Sequence, residues 1–471
     1  MPASNLFHNE SCTLNLITTY KEAWNFLDNL QFFKIKLGLD SMTSFLDSLG
    51  NPQAGLKFIH VAGTNGKGST TATLLALLSE AGYKTGIYTS PHLSSVRERF
   101  RINDSYIPQG HKFRMSRQAA QLSYISEAEF TRHAGRIHAI LNGRQITYFE
   151  FTTALALLWF AEQQVDIVIL EVGMGGRLDA TNVITPLVGI ITNVAMDHEA
   201  YLGHTLKEIA AEKAGIIKSG VPLVSAVAAD DSREVVEETC KLRQAPFFLL
   251  DREFSMSLEK DNSWTYNGLA PQLCHLTELT LALAGHHQGA NTAVALAALE
   301  LLHDHGFTVS PTQIRTGLAK VRWPGRLEYF ELPRPDTTGA PLRVLLDGAH
   351  NPAGVLTLKE ALLSGFPRHR LIMVWASMAD KDMAGTLGTI APLCDQLIFT
   401  MPESERSATP EALAGLLPID QKIGIHLTRT VSEALARAQQ LANNQDDLLC
   451  IAGSLYLVGA ARRILLGELA P

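Results

Sequence analysis

Residues 57–73 read KFIHVAGTNGKGSTTAT, and three successive patterns in this stretch predict one local fold. Residues 57–62 are apolar enough for a buried strand, a glycine-rich turn containing Lys67 follows, and Ser69 opens a leucine pattern typical of a helix. A strand, a glycine turn and a helix N-terminus direct backbone N–H groups and a lysine at an anion, which predicts a phosphate-binding loop. The usual spacing puts a hydroxyl residue directly after the lysine, whereas Gly68 intervenes here. An ordinary glycine turn is the alternative.

Length and composition limit the class of protein. The 471 residues suggest two or three domains, and the 46% apolar and 18% charged residues are typical of globular domains with ample cores. A net charge of -7 argues against nucleic acid as a partner. Five scattered cysteines predict reduced thiols in a cytoplasmic protein. We expect neither a secretory signal nor a membrane span.

Three polar residues each stand just after a short apolar run that predicts a buried strand: Ser90, Glu171 and His198. Because the carboxyl ends of parallel strands meet at one edge of a sheet, we expect these side chains close to the phosphate loop. Oxygen and imidazole groups beside phosphates favour a Mg²⁺ site. A turn serine and a structural histidine are the alternatives for Ser90 and His198.

Three further residues have an ordinary structural interpretation, and one of them, Glu150, also has a functional one. Asn291 stands in the first turn of an alanine-rich helix, where asparagine commonly caps. Lys213, on a helix predicted over residues 206–217, is by default a surface lysine. Glu150 lies among aromatic residues, either as a carboxylate favoured at a helix start or as part of a pocket that stacks on a heterocycle.

The stretch after Ser90 is harder to interpret. Arg97, Arg99 and Arg101 alternate as on a solvated strand face, although an anionic substrate would also need them. Residues 104–140 are polar, and their basic part at residues 111–118 predicts a surface insertion or a flap. Residues 227–280 show alternating strand and turn signals.

The sequence VRWPGR at residues 321–326 interrupts a helical pattern and predicts a boundary between a domain over residues 1–322 and another over 323–471. Strand-like and helical runs alternate beyond it, which predicts a second, smaller parallel sheet. The predicted strands are 343–346, 371–376, 396–400 and 447–452, and the predicted helices are 353–364, 410–416 and 431–442. The expected fold class is α/β, with a mostly parallel phosphate-loop domain and a smaller Rossmann-like domain.

An ordered set of motifs gives the chain a family resemblance. The motifs are HVAGTNGKGST, TSPHL, TYFE, EVGMGGRLDATN, DH followed by YLG, EKAGI, WPGR, DGAHNP and GSLYLVG. The set resembles the folylpolyglutamate synthase and dihydrofolate synthase family within the Mur ligases, over about residues 33–459. The resemblance implies an ATP-dependent ligase that joins a folate carboxylate to the amine of L-glutamate. It also implies an N-terminal ATPase domain and a site between two domains.

The resemblance implies roles for individual residues. It assigns the ATP phosphate loop to Thr64, Asn65, Gly66, Lys67, Gly68 and Ser69. It assigns contacts with ATP across the domain gap to Asn291, Arg326 and Asp347. It assigns two Mg²⁺ sites to Ser90, Glu171, His198 and Lys213, the last as a carbamate. It assigns the surroundings of the incoming glutamate to His350 and Ser454.

The resemblance also implies a pocket for pteroate, formed by two segments and one leucine. These are Lys36, Leu37, Gly38 and Leu39, then Thr147, Tyr148, Phe149 and Glu150, and Leu178. The residues alone favour a plain turn at Gly38 over a part of a substrate site. Lys67, Lys213 and His350 are the expected catalytic residues of a monomer acting on dihydropteroate, folates, L-glutamate and ATP. A ligase with one of the two activities, a peptidoglycan ligase of the Mur type and a non-catalytic nucleotide-binding protein are the alternatives.

Overall fold

The computed structural model describes residues 17–30, 38–103, 123–228, 231–269, 275–334, 341–404, 406–418 and 423–467. The first of its two large sheets has seven strands. In chain order they are β1 (Phe58–Ala62), β2 (Thr85–Tyr88), β3 (Phe100–Ile102), β4 (Ile167–Glu171), β5 (Val188–Ile191), β6 (Leu223–Ser225) and β7 (Phe247–Leu249). Their spatial order is β3-β2-β4-β1-β5-β6-β7, and only the edge strand β3 runs antiparallel to its neighbour.

Helices cover both faces of this sheet, because its central strands are apolar on both sides. Alternate residues of β1 divide between two cores, with Phe58 in one and Ile59 in the other. The helices of this part are α1 (Tyr20–Asn29), α2 (Asp40–Ser48), α3 (Lys67–Glu80), α4 (Glu127–Leu141), α5 (Tyr148–Glu162), α6 (Glu199–Leu202), α7 (Leu206–Ala214), α8 (Asp231–Leu242), α9 (His287–Leu302) and α10 (Pro311–Lys320).

A small antiparallel sheet lies between α8 and α9 in the chain. Its strands are β8 (Ser255–Leu258), β9 (Trp264–Asn267) and β10 (His275–Leu279). Tyr266 at its centre is buried and donates a 2.6 Å hydrogen bond to Glu300 of α9. The small sheet is thereby attached to the helix whose first turns approach the phosphate loop.

The second large sheet contains β11 (Glu328–Leu332), β12 (Leu342–Leu346), β13 (Leu371–Trp375), β14 (Gln396–Phe399), β15 (Gly424–Leu427) and β16 (Leu448–Ala452). The spatial order is β11-β12-β16-β13-β14-β15, with β11 antiparallel and the other pairs parallel. Its helices are α11 (Pro352–Ser364), α12 (Met383–Ile390), α13 (Pro410–Ala414), α14 (Val431–Leu441) and α15 (Leu455–Leu466). This sheet has an apolar core on each face.

The predicted α/β class with two mostly parallel sheets is confirmed. The helices α4 and α8 were missed, since their amphipathic patterns lie inside segments that the sequence analysis interpreted as polar or as strands and turns. The expected flap at residues 111–118 lies outside the described residues. In the part of the chain that the structure covers, no helix has both the length and the hydropathy of a membrane span.

The prediction of a solvated strand face for the three arginines is wrong. Arg97 and Arg99 belong to a short 3-10 helix, and only Arg101 lies on β3. Arg99 and Arg101 are 7% and 8% exposed. The Arg99 guanidinium stacks 5.2 Å from the centre of the Tyr148 ring, and its Nε donates to His92. These arginines therefore face the protein interior.

Candidate functional site

The phosphate loop joins β1 to α3 and is held by the strand next to it. The backbone N–H of Asn65 donates to the side-chain oxygen of Asn193 (2.8 Å), and the Thr192 hydroxyl donates to the carbonyl oxygen of Asn65 (2.6 Å). Thr64 exchanges two hydrogen bonds with the backbone of Ala195. The loop is therefore fixed in shape before any ligand arrives, which favours binding.

Lys67 is the first residue of α3 and folds back over the loop. Its Nζ donates to the carbonyl oxygens of Gly63 (2.9 Å) and Thr64 (3.0 Å). Burial lowers the pKa of Lys67, while the carboxylates of Glu171 and Asp197 act in the opposite direction. The Lys67 side chain, held by two carbonyl oxygens, thus stands at the N-terminus of α3, where anions are stabilised.

Two glycines of the loop, Gly63 and Gly66, are required by close contacts as well as by backbone conformation, and a Cβ on Gly63 (φ of +149°) would clash with the Thr192 hydroxyl. Gly66 has a φ of +86°, and a Cβ there would lie 2.3 Å from Oδ1 of Asn291. The cap prediction for Asn291 is wrong, because α9 begins at His287 with His286 as its N-cap and Asn291 stands one turn later. Its side chain donates to Gln288 and faces the phosphate loop, as its predicted role in ATP binding requires. Gln288 also donates to the predicted loop residue Ser69 (3.3 Å).

The sheet edge brings two of the predicted metal ligands into contact. The backbone N–H of Ser90 donates to Oε2 of Glu171 at 3.2 Å, and Glu171 is 4% exposed. Burial raises the pKa of Glu171 to about 7, against the opposing charge of Lys67. His198 follows β5 at the same edge, with its side chain 36% exposed and its Nε2 4.0 Å from Oδ2 of Asp197. Burial lowers the pKa of His198 to about 4.

Lys213 is not the surface lysine of the default interpretation. It lies in the last turn of α7 and is only 3% exposed. Burial, with a smaller contribution from the charge of Lys67, lowers the pKa of Lys213 to about 7. Within the described residues its ammonium group has neither a hydrogen bond nor an ion pair. Such a group is easily deprotonated.

Arg326 and Asp347 meet at the start of the second sheet. Asp347 is buried at the end of β12 and accepts hydrogen bonds from the backbone of Leu327 (2.8 Å) and Ala349 (2.9 Å). Burial raises the pKa of Asp347, and the charge of Arg326 opposes this rise. The charge of Arg326 also acts to lower the pKa of Lys67 and the pKa of Glu171. Arg326 therefore lies near the phosphate loop.

A network of side chains joins the two sheets beside the loop. Asn351 and Asn65 exchange hydrogen bonds of 3.1 and 3.3 Å, and Asn351 also donates to Asp197 (3.0 Å). The ammonium of Lys381 donates to Asp197 at 2.5 Å, and Nε2 of His350 lies 3.8 Å from the same carboxylate. Burial acts to raise the pKa of Asp197. The charges of His198, Lys381 and His350 outweigh burial and lower the pKa.

The two residues predicted near glutamate differ in surroundings. His350 Nδ1 donates to the carbonyl oxygen of Gly348 (2.7 Å), which leaves Nε2 directed at Asp197. Burial lowers the pKa of His350. Ser454 is the N-cap of α15, and its hydroxyl oxygen accepts from the backbone of Tyr456 (3.2 Å).

The predicted pteroate residues are only partly described. Lys36 and Leu37 lie outside the described residues, while Gly38 and Leu39 precede α2. Thr147 and Glu150 form the capping box of α5, which confirms the helix-start interpretation of Glu150.

Two polar atoms at the start of α5 take no part in the capping box. Oε1 of Glu150 and the hydroxyl of Tyr148 are buried and have no hydrogen-bond partner among the residues that the structure describes. Phe149 packs on the loop that carries the half-buried Leu178, because a Cβ on Gly173 would lie 2.5 Å from its ring. An aromatic surface with two free polar groups suits a heterocyclic ligand.

The sequence analysis missed Asp197, Lys381 and Asn351 as site residues. Asp197 and Lys381 are 184 positions apart, and only the docking of the two sheets brings them together. Two signals were available, since the motif DGAHNP places Asn351 beside His350 and the motif DH places Asp197 directly before His198.

Comparisons with known proteins agree with this geometry. Models of the Mur ligase family match twice, the middle domain over residues 61–299 and the glutamate ligase domain over residues 325–455. The dihydrofolate synthase/folylpolyglutamate synthase of Bacillus subtilis is 32% identical over 95% of this chain and 99% of its own. The folylpolyglutamate synthase of Lacticaseibacillus casei is 35% identical over 90% and 93%.

Solved structures extend the similarity to three dimensions. The Escherichia coli protein solved with DHPP and ADP has a TM-score of 0.79 at 30% identity, covering 96% of this chain and 98% of its own. The bifunctional Yersinia pestis enzyme solved with AMPPNP and a Mn ion has a TM-score of 0.79 at 30% identity, covering 95% and 98%. With two family models and full-length relatives in agreement, this chain belongs to the folylpolyglutamate synthase and dihydrofolate synthase group of the Mur ligase family.

Proposed function

We propose that this protein is an ATP-dependent ligase that joins L-glutamate to dihydropteroate and to folates, with release of ADP and phosphate. The observation that carries the proposal is the pre-formed phosphate loop, whose Asn65 exchanges hydrogen bonds with Asn351 of the second domain, next in the chain to His350. The relatives named for both synthase activities support the same conclusion. We further propose that residues 1–322 and 323–471 are the two domains and that the protein acts as a cytoplasmic monomer.

The phosphates of ATP are proposed to lie over the turn from Thr64 to Ser69. Lys67 would exchange its present carbonyl partners for phosphate oxygens, since an ammonium group gains more from a charged acceptor. Asn291 would approach from α9, and Arg326 with Asp347 from the second domain. This arrangement surrounds the transferring phosphoryl group with positive charge and positions it for reaction.

The residues at the sheet edge suit a divalent cation. Glu171 is a buried carboxylate without an ion pair among the described residues, and burial raises its pKa despite the opposing charges of Lys67 and Arg326. Glu171, Ser90 and His198 are proposed to hold one Mg²⁺, which would supply charge neutralisation for the phosphates when bound. The Mn ion in the Yersinia pestis structure supports a divalent metal in this family.

Lys213 is proposed to hold a second Mg²⁺ after conversion to a carbamate. The neutral amine attacks CO₂, a C–N bond forms, and the released proton goes to solvent, so a cation becomes an anion. The burial of Lys213 favours the neutral amine on which this step depends.

The proposed acceptor pocket is the aromatic surface at the start of α5. Tyr148 and Glu150 offer the polar edge of a pterin a hydroxyl and a carboxylate oxygen that have no partner in the described part of the chain, and Phe149 offers its ring face. Gly38, Leu39 and Leu178, with Lys36 and Leu37, are proposed to complete it. DHPP in the Escherichia coli structure supports a ligand of this kind.

The proposed reaction has two steps. The acceptor carboxylate attacks the γ-phosphorus of ATP, ADP leaves, and an acyl phosphate forms. The neutral amine of glutamate then attacks the acyl carbon, and phosphate leaves as the amide forms. His350 and Ser454 are proposed to position the glutamate at the domain gap. Docking of the domains through Asp197 and Lys381 would keep water from the acyl phosphate.

The test is ADP release by the purified protein with ATP, Mg²⁺ and L-glutamate, with dihydropteroate and tetrahydrofolate compared as acceptors. Turnover with both acceptors is expected. Turnover with tetrahydrofolate alone would leave a ligase with one activity, as the name of the Lacticaseibacillus casei relative implies for that protein. Turnover with neither acceptor would refute the proposal.

A further inference from the structure

Gly68 is in contact with the tryptophan of the linker between the two large sheets. A Cβ on Gly68 would lie 2.5 Å from Nε1 of Trp323 and 2.9 Å from its Cε2. The backbone of Gly68 is helical, so its conformation does not require glycine. The indole of Trp323 does require glycine at position 68, because it leaves no room for a Cβ. This contact explains why a glycine separates Lys67 from the hydroxyl residue in this phosphate loop.

The contact continues along one face of α3. Ala72 and Ala76 follow Gly68 at intervals of four residues, which places all three on the same side of the helix. Both alanines belong to a small apolar cluster with Val321 and Trp323. Small side chains let the linker backbone approach closely, and Trp323 occupies the end of the face nearest the phosphate loop.

Only Pro324 and Gly325 separate Trp323 from Arg326, and Gly325 is held in place. Gly325 has a φ of +69°, its N–H donates to Glu328 (2.9 Å), and its carbonyl oxygen accepts from Gly348 (2.8 Å). The Arg326 guanidinium lies against Gly348, where a Cβ would come 2.0 Å from Nη1. A displacement of Trp323 must therefore shift the segment that carries Arg326.

We propose that Trp323 is a positioning residue: its contact with Gly68 sets the linker on the phosphate-loop helix so that Arg326 reaches the phosphates of ATP. The inference rests on the proposed ATP-dependent function and assigns to the linker a part in nucleotide binding. Substitutions at position 68 act on ATP binding through Arg326, and not only on the local fold.

The test is a cycle of substitutions read by calorimetric titration with ATP. Gly68→Ala adds a methyl group where the indole stands, and overpacking of this kind corresponds to a loss of affinity of about tenfold. In an Arg326→Ala background the same substitution is expected to cost little, because the group that it displaces is already gone. A purely structural effect of Gly68→Ala would reduce affinity by the same factor in both backgrounds.

Two further variants keep the test independent of folding defects. Trp323→Leu removes atoms instead of adding them, is expected to weaken ATP binding, and should restore much of the affinity of Gly68→Ala when the two are combined. Gly388→Ala is the matched control, since a Cβ on this helical glycine has no neighbour within 4 Å and should leave affinity unchanged.

Three results would overturn the inference: ordinary ATP affinity in Gly68→Ala, an equal loss in the Arg326→Ala background, or ordinary affinity in Trp323→Leu. Calorimetry requires no turnover. A wild-type protein that binds ATP but transfers no glutamate would therefore refute the proposed function and still allow this test.

Discussion

The ion pair between Lys381 and Asp197 should control how firmly the two domains dock. Its atoms are 2.5 Å apart, and the side chains are only 9% and 8% exposed. Removing one member of a buried pair costs about 3–5 kcal/mol, because the remaining charge is left without its partner. In Lys381→Met, Asp197 keeps Asn351 at 3.0 Å and His350 at 3.8 Å, so the lower limit of about 3 kcal/mol applies.

A loss of about 3 kcal/mol corresponds to roughly a hundredfold in the equilibrium between docked and separated domains. We expect kcat/KM for ADP release in the Lys381→Met variant to fall by up to that factor. The assay is steady-state ADP release with ATP, glutamate and tetrahydrofolate, accompanied by equilibrium unfolding to follow the free energy of unfolding.

The neighbouring pair of Arg406 and Asp380 provides the control. Its atoms are 2.6 Å apart, but the side chains are 56% and 45% exposed, and exposed pairs contribute about 0–1 kcal/mol. Arg406→Met should therefore change kcat/KM less than about fivefold. Equal losses in the two variants, or strictly additive losses when Lys381→Met is combined with Asp197→Asn, would refute the reasoning.

Three further outcomes are expected. Arg326→Ala should raise KM for ATP while circular dichroism and the unfolding midpoint stay near wild type, and normal turnover would contradict the proposed phosphate contact. Lys213→Ala should abolish ADP release, with partial recovery when a short carboxylate such as acetate is added to replace the carbamate oxygens; no recovery at any concentration would count against the carbamate. Although burial opposes it, hydrogen bonds from Arg370 at 2.6 and 3.1 Å lower the pKa of Asp447 below its usual 3.8. The resulting stabilisation is present above the usual pKa of 3.8 and is lost as the pH falls through the lower pKa of the folded state. The free energy of unfolding of the wild type should therefore fall more steeply below about pH 4 than that of Asp447→Asn.

The sheet edge was predictable from the sequence because its signals are local. Short apolar runs, each followed by a polar residue, mark the ends of buried parallel strands, and parallel pairing brings those ends together. Ser90 and Glu171 meet for this reason. The phosphate loop was predictable in the same way, since strand, turn and helix are contiguous in the chain.

Contacts between distant segments were not predictable by these rules. Nothing near Lys381 in the sequence indicates Asp197, and nothing near Gly68 indicates Trp323. Asn291 was assigned to a cap because the helix start was placed too late, whereas His287 already belongs to α9 and Gly285, with a φ of +99°, makes the turn before it. The burial of Lys213 follows from packing that a single helical pattern does not reveal.

The burial of Glu171 and Lys213 favours the metal ions and the carbamate proposed for these two side chains. The pKa of Glu171 is raised to about 7 and that of Lys213 is lowered to about 7, because water is excluded from both groups. Each side chain alone therefore has a substantial neutral fraction near pH 7. In the proposed carbamate formation, neutral Lys213 would be the form that reacts with CO₂, and the negative carbamate would then require a nearby cation. In the proposed arrangement, one divalent ion held by Glu171 and a second held by the carbamate would reduce the cost of burying both anions. On this reasoning, metal and CO₂ should bind cooperatively: Mg²⁺ affinity should rise with bicarbonate in the wild type and be insensitive to bicarbonate in Lys213→Ala, and equal sensitivity in the two proteins would exclude the coupling.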